Sequence, residues 1–166
     1  MKNVPRLIDA VCWAYSSALP GKMWAPVRDV GGLTTYCNEG FNFICKRMGY
    51  SYFDRSTLER PHGAMLANQM YDVMNDPNGD WMSISDTKVI QYHANSGVLC
   101  AAATKNITGH GHVCTIMPGE AELSGSWKML APKVMNIGKD VFIGQKASFA
   151  FSADNIPRYF ALRSML

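Results

Sequence analysis

The stretch "GLTTYCNEGFNFICKRMGY", residues 32–50, joins a polar turn to an apolar helical pattern, with Cys37 at the junction. Apolar residues recur there at three- and four-residue steps, at Phe41, Ile44, Cys45 and Met48. This spacing predicts a helix that begins near Cys37 and buries one face. Gly49 is a plausible stop, and Thr34 or Thr35 is a candidate cap.

A thiol at the first turn of a helix lies near backbone N–H groups that have no partner within the helix. These groups favour the thiolate form, which is the nucleophilic form of cysteine, and they also stabilise an oxyanion. Cys37 is therefore a candidate nucleophile. The alternative is a small apolar residue in the core, which is the commoner role of a free cysteine.

Outward from this stretch, helical spacing predicts further helices over 5–18, 63–76 and 86–97, and Pro and Gly predict a loop over 19–32. Short segments rich in β-branched or aromatic residues follow and predict strands, at 98–105, 112–118, 133–138 and 147–151. Helices followed by a meander of strands predict an α+β fold, with N-terminal helices packed on one side of a C-terminal antiparallel sheet. We expect residues 1–166 to form a single domain.

Composition narrows the function classes. The chain is 48% hydrophobic and 17% charged, with a net charge of +3, which is typical of a globular protein and mildly favours an anionic surface. No run of Lys and Arg predicts a nucleic-acid partner. Five cysteines without a CxxC pair favour synthesis in a reducing compartment. We expect no signal peptide and no membrane span, so a site of action outside the cytoplasm would require another route of release.

A cysteine nucleophile needs a base, and the base needs a residue that orients it. The chain has four histidines, at His62, His93, His110 and His112. His112 opens a predicted strand, where it would lie across from the start of a helix. Asn136, inside an otherwise apolar strand, is the candidate that accepts the imidazole Nδ1–H. Its alternative role is a bulge or edge residue whose amide is satisfied by the backbone.

The order of these motifs resembles that of the papain-like NlpC/P60 and CHAP cysteine hydrolases of peptidoglycan. The resemblance covers roughly residues 30 to 155, and three segments carry it, "TTYCNEGFNFICKRMG", "GHVCTIMPG" and "KVMNIG". It implies that Cys37 attacks an amide carbonyl of the wall peptide, that His112 is the base, and that Asn136 orients the imidazole. It implies neither a metal nor an organic cofactor. A chain of this size without a wall-binding module resembles a phage lysis enzyme released through a holin, or an injected effector, and we expect a monomer.

Four further residues are candidate substrate contacts, Tyr36, Asn38, His110 and Trp127. Tyr36 either lines the site or packs in the core, and Trp127 covers either the sheet or the rim of the cleft. Specificity for one amide bond is expected to lie in the loops at 50–65 and 119–131.

Other functions remain open from the sequence. His110, His112 and Cys114 alternate, so on one strand they would face the same way and could form part of a zinc site in a zinc-dependent amidase. A non-catalytic wall-binding protein and a deamidating or acyl-transferring effector are the remaining alternatives.

Overall fold

The computed structural model describes residues 3–29, 32–59, 61 and 63–166. Its α-helices are α1 Val4–Ser17, α2 Cys37–Arg47, α3 Ala67–Met74 and α4 Thr87–Asn95. Each of them falls on a segment that the sequence predicts to be helical, so these predictions are confirmed. No helix in the described ranges combines the length and the apolar character needed to cross a membrane. His62 lies outside the described residues.

The strands of the described chain are short. They are β1 Val27–Asp29, β2 Gly32–Thr34, β3 Trp81–Ile84, β4 Cys100–Thr104, β5 His112–Ile116, β6 Glu122–Ser124, β7 Met129–Ala131, β8 Lys133–Ile137, β9 Val141–Lys146 and β10 Arg158–Leu162. Six of them form one sheet in the order β3-β10-β4-β5-β8-β9, and β1-β2 and β6-β7 form separate two-stranded ribbons. Every pairing in the six-stranded sheet is antiparallel. The protein is therefore α+β, as predicted.

The six-stranded sheet has a hydrophobic core on each face. Because side chains alternate along a strand, Ala101 and Ala103 of β4 join the cluster that contains α1, α2 and α3, whereas Cys100 and Ala102 join the cluster that contains α4. The expectation that all the helices lie on one side of the sheet is therefore wrong for α4. Its buried Ile90 and Ala94 cover the opposite face.

The strand predictions fail in two ways. Residues 147–151 do not extend the sheet, because Ala147 begins a short 3-10 helix in which Ala150 and Phe151 both donate their N–H groups back to the Ala147 carbonyl. Conversely, the sequence pattern missed several strands, namely β1, β2, β3, β6, β7, β9 and β10, and β1 lies within the predicted loop 19–32. Of these, β10 is a central strand, inserted between β3 and β4. A central strand is buried on both faces, so "RYFAL" lacks the alternation that marks a strand with one exposed face.

A glycine allows α2 to lie close to the sheet. A Cβ atom placed on Gly40 would overlap Cδ1 of Ile137 on β8, one of the strands that α2 contacts. A methyl group at position 40 would therefore force the end of the Ile137 side chain to shift within a packed core. Gly40 therefore sets the height of α2 above the sheet, and with it the position of Cys37, one turn earlier on the same helix.

We predict that Gly40→Ala lowers the free energy of unfolding by about 1 kcal/mol, because overpacking outweighs the better helix propensity of alanine. Ile137→Val removes the Cδ1 atom that the new methyl group meets. The double variant should therefore be more stable than the sum of the two single changes predicts. Urea unfolding of the four proteins in this cycle measures the coupling, and strictly additive free energies would refute the close contact.

Candidate active site

Cys37 is the first residue of α2, and Tyr36 precedes it as the N-cap. The cap makes no hydrogen bond through its side chain, so the expectation that Thr34 or Thr35 caps the helix is wrong. The backbone N–H of Asn38, in the first turn of the helix, interacts with the thiol and helps to lower its pKa. Only 6% of the surface of Cys37 is exposed.

The sheet opens where the thiol lies. Strands β5 and β8 pair at Thr115–Met135 and Ile116–Val134, and within residues 63–166 this ladder extends no further toward the start of β5. The next backbone N–H on the same side of β5, that of Val113, instead interacts with the Cys37 thiol and lowers its pKa. The thiol thus lies near the end of this ladder, beside an N–H group whose hydrogen bond a sheet partner would otherwise accept.

His112 and Asn136 meet near the end of this ladder. The imidazole Nε2 lies 2.6 Å from Oδ1 of Asn136. An amide oxygen only accepts hydrogen bonds, so Nε2 carries a proton. Nδ1 is then the nitrogen that is left to exchange a proton with Cys37. The sequence-based expectation that Asn136 accepts from Nδ1–H is therefore wrong in the nitrogen, although the two residues do pair. Asn136 Nδ2 in turn donates to the carbonyl of Asp140 at 2.5 Å.

The His112 ring is held by packing on two sides. Its centroid lies 5.1 Å from that of the Phe151 ring. A Cβ atom placed on Gly138 would lie 3.0 Å from Cε1 of His112 and 3.1 Å from Nδ2 of Asn136. A residue larger than glycine at position 138 would therefore push against both members of the pair.

The electrostatic environment favours an ionised Cys37. Burial by itself would raise the pKa of the Cys37 thiol, but the charge of His112 and an interaction with its side chain act in the opposite direction. Two further interactions, with the backbone N–H groups of Val113 and Asn38, also stabilise the thiolate. The net result is a pKa below the usual value of a thiol, as expected of a nucleophilic cysteine.

The imidazole shifts in the complementary direction. Burial alone would lower the pKa of His112, but its interactions with the sulfur atoms of Cys114 and Cys37 raise it well above its usual value. Burial raises the pKa of the Cys114 thiol, which therefore remains protonated. The lowered pKa of the Cys37 thiol and the raised pKa of the imidazole together favour a thiolate–imidazolium pair.

Two of the predicted substrate contacts lie beside the nucleophile. Tyr36 is half-buried and packs against the core cluster that contains α2. Asn38 donates through Nδ2 to the carbonyl of Met65 at 2.9 Å, so its side chain joins α2 to the segment before α3. The structure thus gives Asn38 a structural role as well as a backbone N–H at the thiol.

The structure does not bring the other two predicted contacts into the triad. Trp127 is 7% exposed and belongs to the core cluster that contains α4. His110 is exposed in the loop before β5, so it does not share a strand with His112 and Cys114, as the zinc-site alternative would require. Among the residues that the structure describes, no group of three or more His, Cys, Asp and Glu side chains is arranged to hold a metal ion.

Asn68 of α3 secures the loop that leads into His112, and the sequence analysis did not select it. Its Nδ2 donates to the carbonyls of Asn106 and Gly109, at 2.8 and 3.0 Å, and its Oδ1 accepts from the Asn106 N–H. A Cβ atom on Gly111 would overlap Oδ1 of Asn68. Gly111, directly before His112, was the signal in the sequence that another group packs closely there. That group, Asn68, is 43 residues away in the chain, so local patterns could not identify it.

The site thus combines a thiol held in its ionised form, an imidazole that can exchange a proton with it, and an amide that orients the imidazole. This combination supports nucleophilic attack on a carbonyl carbon through a covalent intermediate. A comparison of the chain with protein-family models finds no match, and a comparison with curated proteins finds none. The chemistry of the chain therefore has to be inferred from these residues.

We predict that Cys37 reacts with iodoacetamide with a midpoint pH below that of N-acetylcysteine, because its pKa is lowered. The thiolate is lost as the pH falls through the lowered pKa of Cys37, and the imidazolium is lost as the pH rises through the raised pKa of His112. His112→Gln should move the midpoint upward. Peptide mapping by mass spectrometry over a pH series measures it at Cys37 alone, and an unchanged midpoint in His112→Gln would refute the ion pair.

We predict that Gly138→Ala disturbs the pair of His112 and Asn136 and moves the same alkylation midpoint upward. Gly125→Ala is the matched control, because a Cβ atom at that position meets no atom within 4 Å. Both variants add one methyl group near the ends of short strands. Equal midpoints in the two variants would show that the space over Gly138 is not needed to place the imidazole.

Proposed function

We propose that the chain is a cysteine hydrolase that cleaves an amide bond of bacterial peptidoglycan. The observation that carries the proposal is the grouping of three side chains: Cys37 at the first turn of α2, His112, which lowers the pKa of that thiol, and Asn136, whose amide oxygen lies 2.6 Å from Nε2 of His112. In this proposal Cys37 is the nucleophile, His112 is the base and then the acid, and Asn136 orients the imidazole.

In the first half of the reaction, the Cys37 thiolate attacks the carbonyl carbon of the amide and a carbon–sulfur bond forms. The negative charge moves to the carbonyl oxygen, and backbone N–H groups at the start of α2 are the candidate donors to it. The carbon–nitrogen bond then breaks. The leaving nitrogen takes the proton from Nδ1 of His112, so the amine departs neutral and a thioester remains.

In the second half, the neutral His112 takes a proton from a water molecule while that water attacks the thioester carbonyl. The carbon–sulfur bond breaks, the carboxylic acid product leaves, and Cys37 returns to the thiolate beside a protonated imidazole. Asn136 keeps Nε2–H directed away from the thiol in both halves, so Nδ1 remains the nitrogen that carries the transferred proton.

Peptidoglycan is proposed as the substrate because the order of the motifs resembles that of the NlpC/P60 and CHAP hydrolases. The net charge of +3 is compatible with work at an anionic wall. In this proposal the chain is made in the cytoplasm and reaches the wall through a holin-type lesion or by injection. The same triad would also deamidate or acylate a protein, and the experiment below separates these substrates.

We predict that the wild-type protein releases soluble fragments from purified sacculi and that Cys37→Ala reduces the release by at least about 10³-fold. Cys37→Ser keeps a hydroxyl at the same position and should be nearly as inactive, because a serine hydroxyl is far less acidic than a thiol. Cys12→Ala is the control for loss of a thiol, because Cys12 is exposed on α1. Mass spectrometry of the fragments identifies the bond.

Full activity in Cys37→Ala would refute the mechanism. Silence of the wild type on sacculi, together with alkylation of Cys37 at low pH, would retain the nucleophile and reject peptidoglycan in favour of a protein substrate. Activity that a chelator abolishes and iodoacetamide leaves intact would favour the zinc-dependent alternative.

A further inference from the structure

A second thiol contacts the pair that orients the nucleophile. Cys114 lies two residues after His112 on β5, so both side chains leave the strand on the same face. Its Sγ is 3.1 Å from Oδ1 of Asn136 and 3.4 Å from Nε2 of His112. If the register of β5 and β8 continued, Cys114 would lie directly opposite Asn136.

We propose that Cys114 is a positioning residue of the proposed hydrolase, whose S–H group holds the Asn136 carbonyl oxygen toward the imidazole of His112. The inference rests on the proposed function, because it assigns a role within the same site. Cys114 does not touch the reacting atoms in this scheme. It acts through Asn136, which acts through His112.

The hydrogen bonds of the Asn136 amide support this role. Its oxygen has two lone pairs, and two donors approach them, the Nε2–H of His112 and the S–H of Cys114. Its nitrogen donates to the carbonyl of Asp140. A rotated amide would present N–H groups to two donors and an oxygen to a carbonyl, so the three contacts together allow a single orientation.

The thiols of Cys37 and Cys114, which both interact with His112, have pKa values shifted in opposite directions, as their proposed roles require. The Cys37 thiol interacts with the backbone N–H groups of Val113 and Asn38, and these interactions lower its pKa. For Cys114, burial is the largest influence and raises the pKa of its thiol. One sulfur is therefore an acceptor and a nucleophile, whereas the other keeps its proton and remains a donor.

The environment of Cys114 suits a thiol better than a hydroxyl. The residue is 1% exposed and packs in the core cluster that contains α4. A thiol is a small apolar group with a weak donor, so it fills this space at low desolvation cost and still directs one hydrogen to the amide. Serine would keep the donor, and alanine would remove it.

The test compares Cys114→Ala and Cys114→Ser with the matched control Cys100→Ala. Cys100 is another fully buried thiol of the same core cluster, on the neighbouring strand β4, where it pairs with Ile116. The readouts are the midpoint pH of Cys37 alkylation and the kcat and KM for sacculus fragments. Thermal unfolding of the three variants records the cost of each cavity, so that a general loss of stability is measured separately.

We expect Cys114→Ala to lower kcat about fivefold to tenfold with little change in KM, the effect of losing one hydrogen bond, and to raise the alkylation midpoint. Cys114→Ser should recover most of both effects, and Cys100→Ala should show neither. A Cys114→Ala variant with the kinetics and midpoint of Cys100→Ala would overturn the positioning role. If Cys114→Ala and Cys114→Ser lowered kcat and raised the alkylation midpoint equally, Cys114 would contribute only packing and not a hydrogen bond.

Failure of the proposed function itself would look different. In that case wild-type Cys37 would show no lowered midpoint, or Cys37→Ala would keep full activity. A lowered alkylation midpoint in the wild type, together with a Cys114→Ala variant that matches the wild type in midpoint and kinetics, would contradict only the inference about Cys114.

Discussion

The site depends on the interaction that the Cys37 thiol makes with the Val113 N–H group, which, together with His112, lowers the pKa of that thiol. This interaction exists because the ladder between β5 and β8 ends at Thr115–Met135, which leaves an N–H group directed into a gap. A continuous sheet would bury this donor against Ile137 and separate the thiol from the imidazole. The site therefore lies where the ladder between β5 and β8 is interrupted, and the N–H group left there faces the nucleophile.

The same gap explains how residues from opposite faces of the sheet meet. Cys37 belongs to the core on the side of α1, α2 and α3, whereas Cys114 belongs to the core on the side of α4. His112 and Asn136 project with Cys114, yet they reach the thiol because the strands separate at that end. Gly40 allows α2 to descend far enough, and Gly138 leaves room for the imidazole. Two glycines and a short ladder thus replace the loops that often build such sites.

The sequence predicted the elements better than their arrangement. All four helices, β4, β5 and β8 follow from local spacing and turn residues, whereas the pairing of His112 with Asn136 was expected because a catalytic base needs an orienting residue and because the motif order resembles a known family. The position of β10 between β3 and β4 does not follow from local spacing, because a strand buried on both faces has no periodic signal and its neighbours are set by long-range pairing. Two details of the site depend on where the ladder between β5 and β8 ends: which imidazole nitrogen of His112 faces Asn136, and the contact of Cys114 with the Asn136 amide. No local sequence pattern predicts that end.

In the loop between β4 and β5, the hydrogen bonds from Asn68 combine an exposed surface with a fixed backbone, whereas exposed hairpin tips are usually mobile. Hairpin tips are ordinarily the most mobile part of a sheet, and a histidine next to such a tip would inherit that motion. Here three hydrogen bonds to α3 hold residues 106–109, while the side chain of Ile107 remains exposed in the same loop. The outer surface of the loop is consequently free to diverge between related proteins, while the backbone beneath it continues to deliver the histidine to the same place.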